Sequence, residues 1–181
     1  IVMSIAGVDP SGGAGILADI KTFQALGVYG TGIVTALTAQ NPQRMYSLKA
    51  IETDYVEEQI DAVLDSYNVE YIKTGMLYSK DIIKTVSKKI REYNLKAVVD
   101  PVMVATSGAK LMGDDALEAL KTELLPLATL VSTNALSAAH FETSIPNGAR
   151  NIPAMPTTRV HVRYGYLLTK PCMVSISLEP V

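Results

Sequence analysis

Cysteine is almost missing: Cys172 is the one thiol in 181 residues. That excludes an intramolecular disulfide framework and any zinc site built on two or more cysteines. Histidine is scarce as well, and neither His140 nor His161 has a metal-type partner three or four positions on. Neither sign of charge dominates, with 16 basic against 18 acidic residues and a net charge of -2. Such a balance leaves no electrostatic footprint for nucleic acid or an anionic membrane surface. No apolar run reaches the roughly 18 residues a membrane helix needs. The opening IVMSIAGVDPSGG has no basic stretch ahead of its apolar run and reads as a strand rather than a leader. A cytoplasmic protein with no nucleic-acid or membrane partner is expected. Ile1 rather than Met comes first, so a trimmed or processed N-terminus is also expected.

What is present is an apolar content of 48%, in a chain long enough to bury a real core as one domain over 1–181. Strands and helices alternate. IVMSIAG (1–7) is short, apolar and β-branched. In the following ILADIKTFQAL, residues Ile16, Ile20, Phe23 and Leu26 fall at helical spacing, and Gly27 stops the run. GIVTALTAQN (32–41), MYSLKAIE (45–52), VEYIKTG (69–75), KAVVDPV (96–102) and ATLVSTN (128–134) read as strands. Helices are expected at 55–67, at 79–94 with Ser79 as N-cap, and at 113–126 with acids in its first turn. Lys88, Lys89 and Arg91 read as the solvated face of the 79–94 helix. Repeated β-α-β units imply an α/β fold, a mostly parallel sheet covered by helices. Residues 132–181 differ: they hold five of the nine prolines and only six charged residues. There, 144–158 reads as loop, 160–169 as one or two strands around Gly165, and 172–181 as a last strand.

The strongest local feature is GVDPSGGAG (7–15), between a strand and a helix. Three glycines within four positions permit tight turning and close approach to a ligand, and the helix N-terminus beyond offers unpaired N–H groups. A Walker A loop fails, because Ile16 and Leu17 stand where Lys and Ser/Thr belong. Gly13-Ala14-Gly15 through Ala18 fits the dinucleotide fingerprint, yet the acid required after the next strand is missing and Gln40 is the polar residue there. A plain flexible connection stays open as an alternative. Asp100-Pro101 ends a very apolar strand, where a carboxylate can hold Mg²⁺ beside a phosphate. Lys73-Thr74-Gly75-Met76 and Asn134 end the strands on either side of it in sequence. Three strand ends thus deliver polar or small residues to one rim. Gly30-Thr31-Gly32 reads as a turn leading into a strand, or as an anion-binding nest.

AGVDPSGGAGILADIKTFQALGVYG, TALTAQN, KTGMLYS and VVDPVMVATSG, in this order and spacing, closely resemble the hydroxymethylpyrimidine/phosphomethylpyrimidine kinases of thiamin biosynthesis, a branch of the ribokinase-like superfamily. The similarity is strong over 1–134 and weak over 135–181. It implies a ribokinase-like sheet flanked by helices on both faces, usually in a homodimer, and expected here to be incomplete at its C-terminal end. It implies ATP- and Mg²⁺-dependent phosphorylation of 4-amino-5-hydroxymethyl-2-methylpyrimidine and of its monophosphate. By position, Gly7, Asp9, Ala14, Gln40, Met76 and Val102 would bind the pyrimidine. Asp9 would sit at the hydroxymethyl end, Gln40 on the aminopyrimidine edge, and Met76 and Val102 against the ring. Asp100, directly or through water, and Asn134 would face the Mg-nucleotide, and Arg163 would reach a phosphate.

The chain also departs from that family. Ser137 stands where a glutamate is expected near the metal, and Arg163-Tyr164-Gly165-Tyr166 replaces a Lys-Gly-Gly-His type motif. The glycine-rich loop that makes the anion hole and supplies the catalytic residue is not among the 181 residues. No catalytic base is therefore assigned, and Asp9 is only a weak candidate. Two other readings follow from the same residues: a pyrimidine-binding relative without turnover, and a kinase for a pyridoxine-like vitamin.

Overall fold

A computed structural model of the chain describes residues 1–103 and 111–132, together with the backbone of two strands at 161–167 and 170–177. By Cα proximity the chain forms two compact units, Ile1–Thr143 and Ser144–Val181. In the first, the elements run β1 (Val2–Val8), α1 (Gly15–Ala25), β2 (Gly30–Gln40), β3 (Met45–Ala50), α2 (Thr53–Ser66), β4 (Tyr71–Thr74), α3 (Lys80–Glu92), β5 (Lys96–Val99), α4 (Asp114–Ala119) and β6 (Ala128–Val131). The six strands form one sheet in the order β3-β2-β1-β4-β5-β6. Only the β2–β3 pair is antiparallel. The expected mostly parallel α/β architecture is what the molecule has.

β1 lies at the centre, with all five interior residues buried, because helices cover both faces. One face packs Met3, Ile5 and Ile33 against Val56 and Ile60 of α2 and Ile83, Val86 and Ile90 of α3. The other face meets α1, where the Ser4 hydroxyl donates to Asp19 at 2.6 Å. The chain first builds outward through β2 and β3, then returns to lay β4 on the other side of β1. The strand order therefore reverses between β1 and β4. In open parallel sheets that reversal opens a crevice at the carboxyl ends of the strands.

Several expectations change in detail. Ser79 does cap α3, its hydroxyl accepting from the Ile82 amide at 3.3 Å. Gly30-Thr31-Gly32 is neither turn nor nest: it pairs with Val2, Met3 and Ser4 as the start of β2. The helix expected over 113–126 keeps α-geometry only to Ala119. It widens into a π-turn at Leu120–Leu124 and tightens into a 3-10 turn at Leu125–Leu127. Pro126 explains the ending, since it has no N–H to continue an α-helical ladder. Lys89 is not on the solvated face. It is 5% exposed, and its ammonium meets Asp61 at 2.5 Å, Glu57 at 3.2 Å and Glu92 at 3.8 Å. Burial alone would depress it, but Asp61 and Glu57 win and push its pKa up to about 12.

The second unit contains β7 (His161–Leu167) and β8 (Lys170–Ser177), paired antiparallel with a register shift between Tyr164 and Tyr166. The strands expected around Gly165 and at 172–181 are thus one antiparallel pair. No helix among the described residues is long and apolar enough to cross a membrane.

Candidate active site

The crevice at the β1/β4 reversal is a cleft of about 330 Å³. β1 and the loop after it bring Gly7, Val8, Asp9, Ala14 and Gly15, and β2 brings Thr38 and Gln40. β4 and its following residues bring Lys73, Gly75 and Met76, and the end of β5 brings Asp100 and Val102. All six residues expected at a pyrimidine, and Asp100 with them, line this one cleft. Asn134 lies outside the described residues. Arg163 lies in β7, where only the backbone is described.

The glycine-rich loop is held from within. Asp9 is 5% exposed. Its carboxylate accepts from the Ser11 amide at 2.8 Å, from the Ser11 hydroxyl at 2.7 and 2.9 Å, and from the Gly13 amide at 3.2 Å. Burial works to raise its pKa, but the Ser11 and Gly13 bonds, with the Gln40 amide nearby, hold it below the ordinary value. A carboxylate so engaged is a weak proton acceptor, so the geometry makes Asp9 an organiser of the loop. Gly15 has φ +59°, and a Cβ there would run into the Gly7 carbonyl oxygen. The loop therefore turns back on β1 through a residue that only glycine can supply, a local need that also accounts for its place in the dinucleotide-like spacing.

Gln40, at the end of β2, lines the same cleft, and its side-chain amide offers both a donor and an acceptor to a ligand. Around it the wall is apolar: Met76 reaches over Gly7, its methyl 2.5 Å from where a Cβ would be, and Met45, Val102 and Leu111 complete the lining. The Thr35 hydroxyl fixes the Met76 carbonyl at 2.7 Å, and Thr38 fixes that of Val8 at 2.8 Å.

Asp100 is the opposite case. It is half-buried, and among the described residues its carboxylate makes no hydrogen bond or salt bridge. Burial raises its pKa above the ordinary value, the Lys73 charge pulls it down, and the Asp19 charge pushes it up again. No group of three or more His, Cys, Asp or Glu that could cage a metal exists among the described residues. A lone hard oxygen donor beside a cleft fits Mg²⁺, which keeps most of its waters and binds through one or two carboxylates plus a phosphate.

One pair in the cleft was missed from the sequence. Lys73 of β4 donates to both Asp19 oxygens, at 3.0 and 3.1 Å. A readable signal existed: a lysine in a strand covered on both faces needs a partner. Which acid it meets, 54 positions away, is not readable locally.

The family model for phosphomethylpyrimidine kinase matches residues 9–162. A hydroxymethylpyrimidine/phosphomethylpyrimidine kinase from Rhizobium meliloti is 48% identical over 139 residues, 77% of this chain and 52% of that one. The crystal structure of a phosphomethylpyrimidine kinase from Clostridium difficile 630 superposes with a TM-score of 0.72 at 38% identity, covering 78% of this chain and 62% of that one. An ADP complex of a Bacillus subtilis pyridoxal kinase, also 38% identical, gives 0.68 over 78% of this chain and 53% of that one. The chain thus spans about half the length of the curated relatives it matches. The sheet and its helices are ribokinase-like, and the chain belongs to the phosphomethylpyrimidine kinase family.

Proposed function

We propose that this chain carries the substrate cleft of an ATP-dependent kinase for 4-amino-5-hydroxymethyl-2-methylpyrimidine and its monophosphate, in thiamin biosynthesis. The observation that carries this is the convergence of Gly7, Asp9, Ala14, Gln40, Met76, Val102 and Asp100 on one cleft, in a chain of that kinase family. The Gln40 amide suits an aminopyrimidine edge: its carbonyl would accept from the exocyclic amine, and its N–H would donate to a ring nitrogen. Met76 and Val102 give the ring apolar contact.

Asp100 is placed to hold Mg²⁺ against a nucleotide phosphate, with Asn134 and Arg163 assigned to the same side by resemblance. Mg²⁺, when bound, neutralises charge on the phosphates. Desolvation that makes the ionised Asp100 costly also makes it a stronger ligand once a cation arrives. The remaining work of the cleft is positioning, which suits phosphoryl transfer, where little covalent chemistry falls to the protein. A homodimer in the cytoplasm is the setting we assign.

The test is ADP formation from Mg-ATP with the pyrimidine alcohol, its monophosphate and pyridoxine in turn. Pyrimidine-dependent ADP formation is the expected result. Saturable pyrimidine binding without ADP would make the chain a non-catalytic binder. Faster turnover of pyridoxine would move it to the vitamin kinases represented by the Bacillus subtilis structure.

A further inference from the structure

Among the described residues lining the cleft, Lys73 is the one cation, against Asp9, Asp19 and Asp100. Asp9 is occupied by its own loop, and Asp100 faces the metal side. Asp19 is shared: its Oδ2 takes the Ser4 hydroxyl at 2.6 Å as well as the ammonium. An ammonium carries three N–H donors. Among the described residues both of its bonds go to one carboxylate, so at least one donor is left over there. The side chain of Lys73 is 24% exposed, and it lines the cleft rather than the outer surface.

The local backbone favours this placement. The ammonium lies 3.3 Å from where a Cβ on Gly75 would be, and the Ala6 methyl 2.9 Å from the same point. A side chain at 75 would crowd the ammonium from below. Asp19, itself bonded by Ser4, therefore holds a charged donor beside the bare Gly75 that follows β4, in the cleft that Met76 and Asp100 also line. Lys89 shows what a purely structural lysine looks like in this molecule. Its ammonium is ringed by three carboxylates within 4 Å, bonding Asp61 at 2.5 Å, and it lines none of the clefts described here.

We propose that Lys73, held by Asp19 and Ser4, is the cleft's subsite for the phosphate of a phosphate monoester. This deepens, and rests on, the reading of the cleft as a pyrimidine site: Lys73 separates the phosphorylated pyrimidine from the free alcohol. The alcohol offers the ammonium a weak neutral acceptor, whereas the monoester offers charged oxygens, to which hydrogen bonds are markedly stronger. Because Asp19 fixes the ammonium beforehand, little ordering remains to be done when the ligand arrives.

The experiment is calorimetric titration of the purified chain with the pyrimidine alcohol and with its monophosphate, for wild type, Lys73→Met and Lys73→Arg. The quantity read is the ratio of the two affinities. Lys73→Met is expected to cut the preference for the monophosphate tenfold or more, and Lys73→Arg to restore part of it. Equal loss of both ligands, or an unchanged ratio, would overturn the proposal, because a merely structural lysine moves both together. A second readout does not depend on the pyrimidine. Acylation of Lys73, located by peptide mass analysis, should be slowed at least threefold by millimolar inorganic phosphate, and the absence of any protection would overturn the subsite. Should the alcohol fail to bind wild type, the pyrimidine reading falls, and the acylation result alone decides the phosphate subsite.

Discussion

Two strand ends bring an aspartate to the same cleft, and they treat it in opposite ways. After β1, Asp9 is buried and accepts from Ser11 and Gly13, and its pKa is lowered. After β5, Asp100 is half-buried, makes no side-chain hydrogen bond among the described residues, and its pKa is raised. Residue type is the same, so neighbours decide the role. The first carboxylate is consumed in holding a loop. The second is costly to ionise and makes no such bonds among the described residues, which is what the proposed role as a cation ligand calls for. On that proposal, structural and chemical duties are divided between two aspartates at one rim.

The largest expected effect comes from stiffening the β1 end against its needs. Gly15→Ala forces a Cβ toward the Gly7 carbonyl at positive φ, and should cost about 3 kcal/mol, from left-handed strain plus the collision. Denaturant unfolding measures it. Asp9→Ala comes next, at about 2 kcal/mol, because the Ser11 and Gly13 donors lose their acceptor in a partly wet loop. Asp9→Asn gives the sign with pH. The folded pKa of Asp9 is lowered, so its contribution is present at neutral pH and is lost as pH falls from the ordinary carboxylate range through the folded value. The stability gap between wild type and Asp9→Asn should therefore close in acid.

Asp100→Asn should run the other way. A raised folded pKa means that the ionised group destabilises the fold above that value and costs nothing below the unfolded one. The variant should melt slightly higher than wild type at neutral pH and match it in acid, while losing tenfold or more in affinity for Mg-nucleotide. A melting temperature that falls at neutral pH would contradict the contrast drawn between the two aspartates. The smallest effect is a control far from the rim. Lys88 pairs with Glu57 at 3.0 Å but is 64% exposed, so Lys88→Ala should change stability by less than about 0.5 kcal/mol.

How much of this was legible depends on how local the cause is. The helix at Ser79, the alternation of strands and helices, and the small polar rim around Asp100 follow from neighbours in sequence. The assignment of Gln40, Met76 and Val102 to a pyrimidine came from family resemblance rather than from spacing, and the fold explains why they meet: each sits at or just beyond a strand's carboxyl end beside the reversal. The Asp19–Lys73 pair and the burial of Lys89 were not legible, because each joins residues brought together only by tertiary packing. The π-turn at Leu120–Leu124 likewise departs from a helical pattern that continues unbroken in the sequence up to Pro126. The state of Asp100 was hidden for the same reason, since nothing beside it in sequence states its burial, whereas Asp9 is held by Ser11 and Gly13 from its own loop.

The most direct test of the cleft as a pyrimidine site is the methyl NMR spectrum of the seven methionines, recorded while the aminopyrimidine alcohol is added. The Met76 methyl, assigned by Met76→Leu, should shift saturably under the ring current of the bound heterocycle, and the shift should vanish in Gln40→Ala. A Met76 signal that stays fixed at saturating alcohol, or one that moves equally in Gln40→Ala, would contradict the placement of the pyrimidine between Gln40 and Met76.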